Sequence, residues 1–84
     1  MDKKIIQRVG DYPQNKGDLA LLYSPHLSRK SALRILNQYI HRADGLLEAL
    51  EKTGYSHSAR HFSPFQLALV LSHLGEPYGE LSEE

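Results

Sequence analysis

Ser28-Arg29-Lys30-Ser31-Ala32-Leu33-Arg34-Ile35-Leu36-Asn37-Gln38-Tyr39-Ile40-His41 gathers Ala32, Leu33, Ile35, Leu36, Tyr39 and Ile40 on one side at helical spacing. Ser28 stands just before that pattern, where its hydroxyl can accept from the unsatisfied amides of a first helical turn. The stretch is therefore an amphipathic α-helix whose polar face carries Lys30, Ser31, Arg34, Asn37, Gln38 and His41. No carboxylate occurs between Asp18 and Asp44. A solvated helix face usually mixes both signs of charge and gains i,i+4 pairs, whereas this one offers only cations, amides and hydroxyls. It is a face suited to a polyanion, and duplex DNA is the expected partner.

On the N-terminal side, Asn15 is placed to cap a helix over residues 16–23, with Asp18 three positions on, where a negative charge suits the positive end of the helix. Ser24-Pro25-His26 stops that helix. Residues 1–14 contain Ile5, Ile6 and Val9, then Gly10, Tyr12 and Pro13, and read as an N-terminal arm or short extended segment. On the C-terminal side, Asp44 is a candidate cap for a third helix over residues 45–53, with Leu46, Leu47 and Leu50 inward and Gly54 closing it. Residues 55–61 form a loop. Phe62-Ser63-Pro64-Phe65-Gln66-Leu67 is the clearest local signal: Ser63 as N-cap, Pro64 at the first helical position, Gln66 completing a capping box, and Phe62 as a staple toward Leu67. The fourth helix runs to about Leu74 and stops at Gly75, leaving residues 77–84 as a flexible acidic tail.

This fourth helix carries two apolar stripes. Leu67, Val70, Leu71 and Leu74 form one, and Phe65, Ala68 and Leu69 form another. Two stripes fit a central helix with neighbours on both sides, the arrangement favoured for so small a domain, or else an interface at Phe65, Ala68 and Leu69 that would make a homodimer.

Eighty-four residues make one domain, able to bury about 60 to 65% of its unfolded surface, too little for a deep catalytic cleft with its own supporting shell. Without cysteine there is neither a disulfide framework nor a thiolate metal site. The longest apolar runs, residues 19–23 and 67–71, are too short to span a bilayer, and the start has no apolar stretch of signal-peptide length, so a cytoplasmic protein with no membrane partner is expected. Net charge is zero, yet residues 1–42 hold eight Lys/Arg against three Asp/Glu while residues 43–84 hold two against seven. That dipole fits a basic nucleic-acid face with an acidic back, and equally an acidic tail that only aids solubility.

Enzyme chemistry is not expected. Of His26, His41, His57, His61 and His73, only His57 and His61 have ligand-like spacing, and with no cysteine or nearby carboxylate a surface loop accounts for them better. No nucleophile elbow or phosphate loop occurs, and no catalytic residue, metal, cofactor or small-molecule substrate is assigned. Tyr23, Tyr39 and Tyr55 read as core residues with a wet hydroxyl rather than a stacking platform.

Three resemblances follow. Asp18-Leu19-Ala20, then Leu27-Ser28-Arg29-Lys30-Ser31-Ala32 and Leu36, resembles the helix-turn-helix pattern, with Ala20 allowing close approach and Leu27 plugging the turn. Its turn, Tyr23-Ser24-Pro25-His26, is about two residues longer than the usual bacterial form, and an ordinary helical hairpin fits as well. Gly54-Tyr55 with Arg60-His61-Phe62-Ser63-Pro64 is similar to the wing-to-helix junction of MerR-like and excisionase-type domains. That likeness implies Arg60 near the DNA backbone; a simple helix connection would leave it solvated. Leu19-Ala20-Leu21-Leu22-Tyr23-Ser24-Pro25, Ala32-Leu33, Tyr39-Ile40, Gly54-Tyr55, Arg60-His61-Phe62-Ser63-Pro64-Phe65-Gln66 and Leu74-Gly75-Glu76-Pro77 together look like a family of short bacterial proteins classed as a domain of unknown function, marked by its Gly-Glu-Pro ending. It implies a mostly helical domain and no activity. The expectation is an all-α, four-helix domain over residues 15–76 with a helix-turn-helix-like core and flexible termini. It would bind DNA in a regulatory or mobile-element accessory role or, alternatively, serve as a protein-interaction module through its last helix.

Overall fold

Asn15, Ser28 and Ser63 each adopt extended backbone and accept a hydrogen bond from the amide three residues on, at 3.0, 3.2 and 3.1 Å. Those three caps start three of the four α-helices in the computed structural model, which describes residues 9–77. The helices are α1, Lys16–Tyr23; α2, Arg29–Arg42; α3, Leu46–Glu51; and α4, Pro64–Leu74, preceded by a 3-10 turn over Val9–Asp11. Among the described residues the only β pairing is an isolated antiparallel bridge between Asn15 and His61. Most of the expected arm and nearly all of the acidic tail, residues 1–8 and 78–84, lie outside the described residues.

The capping box on α4 is complete. Gln66 returns a bond by accepting from the Ser63 amide at 2.9 Å, and Pro64 fills the first helical position. The start of α3 is a correction to the expected cap. Gly45, at φ 79°, precedes the helix with no side-chain cap, and Asp44 is exposed. The chain must reverse within three residues of α2, so the turn is made by backbone: Ala43 is extended, Gly45 is left-handed, and the Leu46 amide reaches the Ala43 carbonyl at 3.2 Å. Consequently α3 is shorter than residues 45–53. Its C-terminus is a Schellman motif in which the Gly54 amide donates to Glu51 at 3.0 Å and the Tyr55 amide to Leu50 at 3.2 Å.

α4 is central. It packs against α2, α3 and the 3-10 turn, while α1 lies along α2. Leu67, Val70 and Leu71 of α4 are fully buried, with Leu19, Ala20, Ala32, Leu36, Ile40, Leu46 and Leu50 from the other helices. Phe62 stacks on Tyr55 with centroids 5.7 Å apart, and Tyr12 joins the core from the N-terminal side, its hydroxyl donating to the Glu76 carboxylate. Of the second α4 stripe, Ala68 and Leu69 are 3% and 9% exposed within a single chain, while Phe65 is 56% exposed. Two of these three candidate interface residues thus pack in the chain's own core, because α4 has neighbours on both sides. Tyr39 is also a correction. The buried stripe of α2 narrows to every fourth residue, Ala32, Leu36 and Ile40, and Tyr39 falls off it at 41% exposure. No helix among the described residues is long and apolar enough to cross a membrane.

Candidate nucleic-acid interface

Because Ala32, Leu36 and Ile40 fix the inner side of α2, Lys30, Arg34 and Gln38 emerge on successive turns of its outer side, all exposed, with His41, Arg29 and Arg42 also in solvent. Among the described residues Lys30, Arg34 and Arg42 form no ion pair. Ser31 is half-buried, its amide held by the Ser28 hydroxyl. Asn37 is half-buried too, and its side-chain oxygen is buried with no hydrogen-bond partner among the described residues. Gln38 is thus the more exposed of the two carboxamides.

Arg60 is exposed on the short stretch that runs antiparallel to the entry of α1. The Arg60 carbonyl accepts from the Lys16 amide at 2.8 Å, and the Phe62 amide donates to Gln14 at 2.8 Å. Arg60 is thereby brought to the start of α2, where it shares with Arg29 a cavity of about 440 Å³ that is also lined by Lys16, Gly17, Leu33 and Ser58. The His57 ring stands 5.7 Å from that of His41, tying this loop to the far end of α2, while His61 pairs through its backbone with Asn15.

Two residues of this corner were not singled out as site residues from the sequence. Lys16 is 2% exposed. Its ammonium donates to the Tyr55 hydroxyl at 2.6 Å and the His57 carbonyl at 3.1 Å, and lies 5.0 Å from the Tyr55 ring centroid. Among the described residues no carboxylate pairs with it. Burial lowers its pKa from 10.5 to about 8, because the charged form loses hydration that these neutral partners only partly replace. Arg29 pairs with Asp18 at 2.5 Å and donates to the Asn15 side chain, lying so close over Gly17 that a Cβ there would meet its guanidinium at 2.6 Å. The signal for both was present. A lysine at the first helical position opposes the helix dipole, and a glycine at the second weakens the helix, so Lys16-Gly17 runs against propensity twice.

The molecule so defined is a small all-helical domain with a helix face of one charge sign beside a cationic cavity. Residues 12–77 match the family model DUF4248, a domain of unknown function, and the chain belongs to that family. Comparison with curated proteins and with solved structures gives no match.

Proposed function

We propose that this domain binds duplex DNA through the outer face of α2, with α1 and α2 acting as a helix-turn-helix-like pair, in a regulatory or mobile-element accessory role. The observation that carries this reading is the charge of α2. Its 14 residues include Arg29, Lys30, Arg34 and Arg42 and no carboxylate, and all four cations are exposed. Lys30 and Arg34, with Arg60 from its loop, neutralise backbone phosphates, while Gln38 is the side chain suited to reading an adenine edge.

The test is binding to random duplex DNA as a function of salt. Three phosphate contacts give a slope of log affinity against log salt near about −2.7. Lys30→Ala and Arg34→Ala should each make it shallower by about 0.9, whereas Gln38→Ala should leave random binding intact and relax preference on a specific site. Absence of duplex binding at low salt, or unchanged binding after charge reversal at positions 30 and 34, overturns the reading. The exposed rings of Phe65 and Tyr39 then favour a protein-interaction module, whose association would be nearly indifferent to salt.

A further inference from the structure

We propose that the cavity between the start of α1, the start of α2 and residues 57–60 is a binding site for a phosphate group, held by Lys16, Arg29 and Arg60. This inference stands without the duplex-binding reading. Its first support is uncompensated charge. Asp18, the carboxylate at this corner, is engaged by Arg29, which leaves Lys16 and Arg60 without an acidic partner among the described residues. Arg60 is solvated and tolerates that, but Lys16 is not. A buried ammonium lacking a counter-ion is costly, and an apolar residue of similar length would relieve the cost. An ammonium has three donors, and Lys16 spends one on Tyr55 and one on His57, so the third remains for a ligand in the cavity it lines.

The second support comes from the backbone. Gly17, a buried residue that also lines the cavity, keeps one of the unpaired amides of the first turn of α1, with no hydrogen-bond partner among the described residues. An amide in a first helical turn is paired well by an oxyanion. The third is shape. Guanidinium forks match phosphate oxygens in pairs, and Leu33 and Ala59 supply an apolar wall beside them. At about 440 Å³ the cavity is in the range of small-ligand sites and has room for a ring behind the phosphate.

Lys16 also sets a pH signature. Its surroundings are the Tyr55 hydroxyl, His57 and Arg60 from the loop, Asp18 on α1 and Arg29 on α2. With its pKa near 8, the site loses a positive charge as pH rises through that value, while a phosphomonoester, with its second pKa at about 6, keeps its charge. Affinity should therefore fall between about pH 7.5 and 9.5.

The experiment titrates the full chain with inorganic phosphate and with phenyl phosphate by calorimetry and amide NMR, using phenol as the uncharged control and random duplex as a separate arm. The expected result is one saturable site per chain for both phosphates and none for phenol, with the largest shift at the Gly17 amide. Arg60→Ala should weaken binding about tenfold or more, Lys16→Met should weaken it and abolish its pH dependence, and Lys52→Ala, outside the cavity lining, should leave it unchanged. Free phosphates shifting Gly17 identify a small phosphorylated ligand. A Gly17 shift by duplex alone, lost in Lys16→Met, identifies a backbone phosphate as the group bound. No shift at Gly17 by either, or equal losses from Arg60→Ala and from Lys52→Ala at the C-cap of α3, outside the cavity lining, overturns the proposal. Should Lys16→Met fail to fold, Arg60→Ala decides the matter, because Arg60 is exposed.

Discussion

Gly54 sits at φ 92°, and two backbone bonds depend on that left-handed conformation: its own amide to Glu51, and the Tyr55 amide to Leu50. A Cβ at Gly54 would meet nothing within 4 Å, so Gly54→Ala has only a conformational cost, on the order of 1 to 2 kcal/mol. Gly10 has equally open surroundings and no left-handed φ, and Gly10→Ala should be close to neutral. Denaturant midpoints measure the difference; equal effects would mean that the Schellman turn does not hold Tyr55. Gly17 differs from both, since its missing Cβ makes room for a neighbour. A Cβ there displaces only the flexible end of Arg29, and the helix propensity gained by alanine, about 1 kcal/mol, roughly offsets an exposed ion pair worth about 0.2 to 1 kcal/mol. Stability alone does not require Gly17, whereas a cavity with Arg29 folded over it does.

At the scale of elements, α4 shows how a local cap becomes tertiary. Ser63 and Gln66 satisfy each other's amides, and the Gln66 carboxamide donates onward to the Thr53 hydroxyl at 2.8 Å, joining the start of α4 to the end of α3. Ser63→Ala should cost about 1 kcal/mol, as an N-cap does. Gln66→Ala should cost more, on the order of 1 to 3 kcal/mol, because it leaves unpaired groups at both helices. Leu71→Ala, in the fully buried stripe, should cost most, about 2 to 5 kcal/mol. Thermal melts that rank the three otherwise would refute this account of α4. The same distinction explains what the sequence disclosed. α1, α2 and α4 were legible because a cap, a proline and a 3.6-residue period are all local. The start of α3 was not, because Gly45 turns by backbone conformation and uses no side-chain signal. Lys30, Arg34, Gln38 and His41 could be placed outward from the periodicity of one helix. Lys16 could not be placed in its site, because Tyr55 lies 39 residues away and only the fold brings it over. Asn37 turned inward for a similar reason: one position off the buried stripe, its exposure is decided by what packs there and not by its spacing.

For the molecule as a whole, Lys16 and two tyrosines set opposing pH dependences. Folding lowers the Lys16 pKa from 10.5 to about 8, so between those values the unfolded chain binds more protons than the folded one, and stability rises with pH. Tyr23 and Tyr55 act in the other direction. Burial holds both hydroxyls neutral beyond their ordinary 10.0, with Tyr12 and Glu76 adding to the effect at Tyr23, so the unfolded chain ionises first and stability falls above about pH 10. The folded domain should therefore gain stability from about pH 8 and be most stable at about pH 10, on the alkaline side of its sequence pI of 7.0. Chemical denaturation from pH 7 to 11 measures the curve. Lys16→Met should remove the rising limb and be no less stable than wild type at pH 7, since it exchanges a buried, uncompensated charge for an apolar chain of similar length. Tyr23→Phe should shallow the falling limb while losing the hydrogen bond to the Gly75 carbonyl. A flat wild-type curve from pH 8 to 10 would mean that water reaches the ammonium of Lys16. In that event the cavity beside α1 would hold no stored charge for an anion to relieve.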